Sequence, residues 1–172
     1  MTWAGLTNAT PEELAHDLGE LQAWSRKIME RKPDVIIGDG GGDDYMLRWF
    51  VMPRTVFGGV YLHRFLQSDK DVPHDHPWDS TSVLIDGQYD EMLFDRGLSL
   101  PYTVQRVAGD INHRKAEECH RVVLTNGPAT SLFFFGQRRR QWGFHCPMGW
   151  VRWDLFVDAR DKGQVGLGCG EG

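Results

Sequence analysis

Three histidines have the type and spacing to hold a metal ion: His74 and His76 in the run His74-Asp75-His76-Pro77-Trp78, and His120 further along the chain. In a β-strand, residues two apart project from the same face, so the first two imidazoles converge on one point while Asp75 faces away. Neutral imidazole is a ligand for iron, zinc, nickel or copper, and three such groups from two strands make a transition-metal site. The pattern says more about a metal than about a reaction.

Other residues could serve such a site. Arg64 sits in an apolar run, and a guanidinium pointing inward there could clamp a carboxylate or phosphate bidentately; Arg106 and Arg121 are weaker alternatives. His63 alternates with Arg64, so only one of the two faces the cavity. Glu117 and Glu118 precede His120 closely enough to orient its ring. Cys119, its strand neighbour, reads as a small buried residue, and His145 is the candidate fourth ligand or general base. Arg138 to Arg140 read either as a solvated hairpin tip or as a contact for an anion or a partner. No nucleophile-elbow pattern accompanies Ser80.

Elements must carry these residues. Thr10-Pro11-Glu12-Glu13 has the form of a capping box with proline at the first helical position, and Leu14, Leu18, Leu21, Trp24 and Ile28 follow at helical spacing until Pro33. This predicts an amphipathic helix lying across a sheet. The glycine- and aspartate-rich stretch 38–44 predicts a connector, because it lacks the spacing of a phosphate-binding loop. From 45 onward, short β-branched and aromatic runs are predicted as strands at 45–52, 60–66, 82–85, 89–93, 102–107, 121–124, 131–135 and 151–157. Turn signals such as Asp86-Gly87, Pro53-Arg54 and Asn126-Gly127 separate them, which predicts an antiparallel sandwich or barrel. The glycine-rich stretch 163–172 is expected to be a loose tail.

With 172 residues, 41% of them hydrophobic, the chain suits one compact domain. The expected division is 1–44 for helix and connector, 45–160 for the β-domain and 161–172 for the tail. A formal net charge of −5 with scattered basic residues argues against a nucleic-acid surface. Cys119, Cys146 and Cys169 are odd in number and far apart, and no secretory leader pattern opens the chain, so a reducing, cytoplasmic setting is expected. No apolar run approaches the ~20 residues of a membrane helix.

On these residues the chain resembles the cupin superfamily from about Tyr45 to Phe156. His74 and His76 supply the H-x-H of the first cupin motif and Gly87 closes it at the family's distance, with Ser80 where a glutamate normally stands. Gly109 and His120 keep the spacing of the second motif, in which Lys115, Glu117 and Leu124 replace its proline, glycine and asparagine. Loss of the glutamate resembles the three-histidine cupins, of which the thiol dioxygenases are the best-known branch. The run 61–65 and the close from Trp142 to Trp150 are similar to small single-domain cupins of phages and bacteria. The resemblance implies an all-β, antiparallel cupin-type β-barrel (double-stranded β-helix or jelly roll) with an N-terminal helix, and a metal held by His74, His76 and His120.

The expected function is therefore that of a mononuclear iron(II) dioxygenase-like enzyme acting on a small thiol or carboxylate, with Arg64 and His145 as its acting side chains. Zinc, nickel or manganese are the alternative ions. The rival readings are a non-catalytic cupin that binds a ligand or partner with zinc or no metal, and a metal-assisted isomerase or hydrolase. A homodimer formed through the sheets is also expected.

Overall fold

The computed structural model describes residues 10–38, 43–94 and 100–170. Helix α1 spans Pro11–Met29, and Thr10 caps it: the Thr10 hydroxyl accepts from the Glu13 amide while the Glu13 carboxylate accepts from the Thr10 amide. Most of the connector at 38–42 lies outside the described residues.

Among the described residues eleven strands follow. Strands β1 (Val35–Ile37), β2 (Met46–Thr55), β3 (Gly58–Phe65), β4 (Ser80–Asp86), β7 (Ile111–Arg114) and β9 (Ala129–Phe135) form an antiparallel sheet in the order β1-β2-β3-β9-β4-β7. Strands β5 (Gln88–Phe94), β6 (Tyr102–Val107) and β8 (Cys119–Leu124) form a second, in the order β6-β5-β8. β10 (Gly143–Cys146) and β11 (Gly149–Arg152) make a hairpin, followed by the short helix α2 (Trp153–Phe156). No predicted strand covers β1, β7 or β10: β1 is only three residues long, and β7 and β10 are four-residue strands of mixed composition. Pro53-Arg54 is not a turn but lies inside β2, where the pairing with β3 slips between Met52 and Thr55. The last predicted strand ends early and becomes α2.

The smaller sheet has one more member, reduced to a single residue pair. His74 exchanges both backbone bonds with His120, at 2.9 and 3.0 Å, and so lies beside β8. Asp75 and His145 then bond to Gly143 and Pro73 across 3.0 and 2.8 Å, which joins β10 to the far side of this segment. The order β3-β9-β4-β7 facing β6-β5-β8-His74 is the eight-stranded double wind of a jelly roll, or double-stranded β-helix. The barrel is not closed: among the described residues no strand ladder joins the two sheets.

Alternation decides what each face of the large sheet buries. Outward, Trp49, Leu62 and Ile85 form a cluster with Leu21, Trp24, Ile28 and Met29 of α1, and full burial of Leu62 alone is worth about 1.5–3 kcal/mol. The pairing of β4 with β9 slips between Leu84 and Asp86, and the Ile85 carbonyl there accepts from Gln22 of α1 at 3.0 Å. Inward, Leu84 and Ala129 pack on Tyr89 and Val122 of the smaller sheet. Gly87 makes the β4–β5 turn with φ 81°, and a Cβ there would stand 2.5 Å from the Pro128 carbonyl oxygen.

One expectation based on composition fails. The stretch 163–170 is not loose: Gly166 and Gly168 donate to the Phe156 carbonyl, Val165 bridges Val157, and a disulfide joins Cys169 to Cys146 with the Cα atoms 5.5 Å apart. That pairing removes the support the cysteine count lent to a reducing setting, because persistent disulfides belong mainly to oxidising compartments. Among the described residues, no helix is long and apolar enough to cross a membrane.

Candidate metal centre

The three histidines predicted to converge do so. One nitrogen from each of His74, His76 and His120 lies within 4.8 Å of the others, and the ring centroids form a near-regular triangle with sides of 5.0, 4.9 and 5.0 Å. His120 comes from β8, His74 is the one-residue bridge beside it, and His76 follows two residues on, outside any strand. Asp75 faces away, as alternation predicted.

The second ring nitrogen of His120 fixes its tautomer. His120 Nδ1 lies 2.8 Å from Oε1 of Glu91 on β5; a carboxylate can only accept, so Nδ1 holds the proton and Nε2 offers a bare lone pair. His74 Nδ1 stands 3.7 Å from Asp69 Oδ2, an acid that also accepts from the Val122 amide at 2.7 Å and from the Tyr45 hydroxyl. Burial beside Asp69 pushes the Tyr45 hydroxyl well above its ordinary pKa. Carboxylates behind ligand imidazoles are the usual means of aiming them at an ion and raising their basicity.

Glu91 is 1% exposed, yet all its acceptor sites are used. Arg106 donates to it at 2.8 Å, Asn112 at 3.0 and 3.2 Å, and Arg114 completes the set. Such a network is stable only because each member is satisfied. Burial holds His76 and His120 neutral, with pKa values well below the usual imidazole range; the neighbouring His74 and His120 add to this for His76, and Arg114 for His120. Neutral rings are the ligating form.

The donor set fits an ion. His76 Nε2 and His120 Nε2 are 2.9 Å apart, and the His120 atom has no proton to share. A cation with bonds of about 2.0–2.1 Å to each nitrogen would bridge that gap.

Several assignments change. Arg64 lies on the outer face, its Nη1 3.8 Å from Met29 Sδ of α1, so it is not the inward guanidinium expected. His63 takes the inward place, stacked on Phe133 at 5.1 Å, with Phe133 in turn 6.4 Å from His76. His63 Nε2 accepts from Arg48 Nε at 2.9 Å, and burial, Arg48 and His76 keep it neutral. His145 is not a fourth ligand. Its Nε2 lies 3.0 Å from the fully buried Asp75, which also takes the Gly143 amide, the Trp150 indole and Arg140. Asp75 thus anchors the β10–β11 hairpin, whose Phe144 and neighbouring Trp142 rings wall His74 at 5.9 and 6.1 Å.

Glu118 accepts from the Lys115 amide in its own turn, as a plain loop charge does, and the carboxylate that orients His120 is Glu91. Asp79, one residue short of the glutamate position, is held by Ala116 and Arg139. Arg121 faces away, towards Lys70 and Asp71. The arginine run is partly internal, with Arg140 on Asp75 and Arg139 on Asp79. Glu91 had one sequence signal: an acid at an inward position of the alternating run 88–94, between Tyr89 and Leu93.

Fold and site together define a small double-stranded β-helix protein of cupin type with a three-histidine cluster between its sheets. No protein-family model and no curated protein matches the chain. It is similar in structure to an uncharacterized conserved protein with a double-stranded β-helix domain from Klebsiella pneumoniae, with 16% identity over 63% of this chain and 89% of that one and a TM-score of 0.47. A cupin superfamily protein from Desulfitobacterium hafniense matches at 13% identity over 54% and 77% of the two chains, with a TM-score of 0.44. KdgF from a Halomonas species matches at 19% over 59% and 86%, with a TM-score of 0.45.

Proposed function

We propose that this protein binds one divalent ion through His74, His76 and His120, and that with iron(II) it is a dioxygenase-like enzyme acting on a small thiol or carboxylate. The observation that carries the metal reading is the pairing of His120 Nδ1 with Glu91, which leaves the Nε2 lone pair aimed at His76 Nε2 across 2.9 Å. Three nitrogen ligands leave coordination positions for a substrate and an oxidant. Iron(II) held there would supply electrons for the reduction of dioxygen.

The chain's own part is orientation and exclusion of water. Glu91 holds the His120 imidazole in its tautomer, Asp69 places a carboxylate behind His74, Arg106 and Arg114 hold Glu91, and Phe133, Phe144 and Trp142 supply an aromatic wall. With Arg64 and His145 turned to other partners, neither acts on substrate.

Elemental analysis of untagged protein tests this, beside a His120→Ala variant. About one iron per chain, lost in the variant, followed by oxygen uptake with a thiol or carboxylate, is the expected result. Zinc in place of iron would move the reading to hydrolysis, isomerisation or a structural ion, and absence of metal from both proteins would remove it.

A further inference from the structure

The inner face of the large sheet carries a second constellation, beyond the histidine cluster. Tyr61, Phe135 and Trp78 form a continuous aromatic floor, with centroid separations of 4.5 Å for the first pair and 4.7 Å for the second. A guanidinium lies over each end: Arg48 stands 4.8 Å from the Tyr61 ring centre and Arg54 5.6 Å from that of Trp78. Stacking of this kind fixes a cation's position without neutralising it.

Neither arginine has a counter-charge. Among the described residues no carboxylate lies within ion-pair distance of Arg48 or Arg54, and the protein partner of the Arg48 guanidinium is the neutral His63 ring. Burial holds Arg48 below the ordinary arginine pKa. Arg54, Trp78, Phe135, Gln137 and Arg138 line a cleft of about 590 Å³ with no acidic side chain in its wall. The Trp78 indole N–H is buried and, among the described residues, has no acceptor. The unmatched polar groups on this face are therefore donors and cations: Arg54 is exposed to solvent, while the half-buried Arg48 and the buried Trp78 N–H cost stability unless an acceptor completes them.

We propose that this face binds the oxyanion of a small ligand between Arg48 and Arg54, with the ligand's body on the aromatic floor. The floor continues from Phe135 to Phe133 at 6.2 Å and on to His76 at 6.4 Å, so the anion would be the anchoring end of a molecule that extends towards the histidines. That last step rests on the metal reading; the anion site does not. The planar forks of two arginines suit carboxylate and phosphate oxygens alike.

The test follows the Trp78 indole resonance, assigned by NMR, in full-length protein titrated with inorganic phosphate and separately with succinate at constant ionic strength. Chelated and zinc-loaded samples are both used. A saturable shift is expected with at least one probe, in both samples, and the responding probe separates phosphate from carboxylate. Arg48→Gln and Arg54→Gln should each weaken binding about tenfold, while Arg64→Gln leaves it unchanged. Absence of a saturable shift in the unaltered protein overturns the proposal without any variant. So does equal affinity in an Arg48→Gln/Arg54→Gln protein whose amide spectrum shows it folded. Binding that persists when no metal can be loaded would sink the metal reading and leave this one standing.

Discussion

His120 and Glu91 meet across strands β8 and β5, Nδ1 to Oε1 at 2.8 Å, and this contact fixes the histidine's tautomer and leaves Nε2 with a bare lone pair. Glu91→Gln keeps the shape but removes the charge that raises ring basicity and balances Arg106 and Arg114. Zinc affinity, measured by competition with a chromophoric chelator, should fall about 10–100-fold. Melting temperature should fall as well, because two buried or half-buried cations lose their carboxylate. An unchanged zinc affinity in the folded variant would leave Glu91 with a structural role only.

A metal that binds the folded state alone stabilises it by mass action. Free metal at about one hundred times its dissociation constant should add about 2.7 kcal/mol, read as a rise in melting temperature over chelated protein. His76→Ala should show no such rise. A rise of the same size in the variant would place the ion elsewhere.

The Cys146–Cys169 bridge spans a sequence separation of 23 residues and ties the chain end to β10. A loop of that size is worth about 3 kcal/mol through the unfolded state. Cys169→Ser should lower urea-unfolding stability by roughly that amount, with metal content unchanged, since neither cysteine belongs to the histidine cluster. Equal stability of the two proteins under oxidising conditions would mean that the bridge constrains nothing.

Asp79 ties the start of β4 to the turn before β8 through the Ala116 amide at 2.9 Å, and to Arg139 at 2.6 Å. The Ala116 amide, followed by Arg139 and Lys115, holds its carboxyl below the ordinary value of 3.8. A depressed folded-state pKa stabilises above the unfolded pKa and ceases to do so as pH falls through the folded one. Asp79→Asn should therefore lower the melting temperature at neutral pH, and the gap to the unaltered protein should close as pH drops below 3.8. A gap independent of pH would show that the charge contributes nothing.

Much of the fold and the core of the site were legible in the sequence, because they rest on local periodicity. The capping box and the Leu21, Trp24, Ile28 stripe determined α1 and its buried face. Period-two runs determined most strands, and the spacing of His74, His76 and His120 determined the cluster. Strand alternation also sent Asp75 away from that cluster and reduced Arg64 and His63 to a choice of one.

Tertiary structure made that choice, because nothing in a strand's own pattern says on which side its helix lies. Once α1 covers the face of Leu62, Arg64 must go with it and His63 must turn to Phe133 and His76. The same holds for Glu91 behind His120, for Asp75 as the anchor of the last hairpin, and for the pairing of Cys146 with Cys169. Each is a contact between residues remote in sequence, decided by which strands the jelly roll brings side by side and not by any residue's neighbours in the chain.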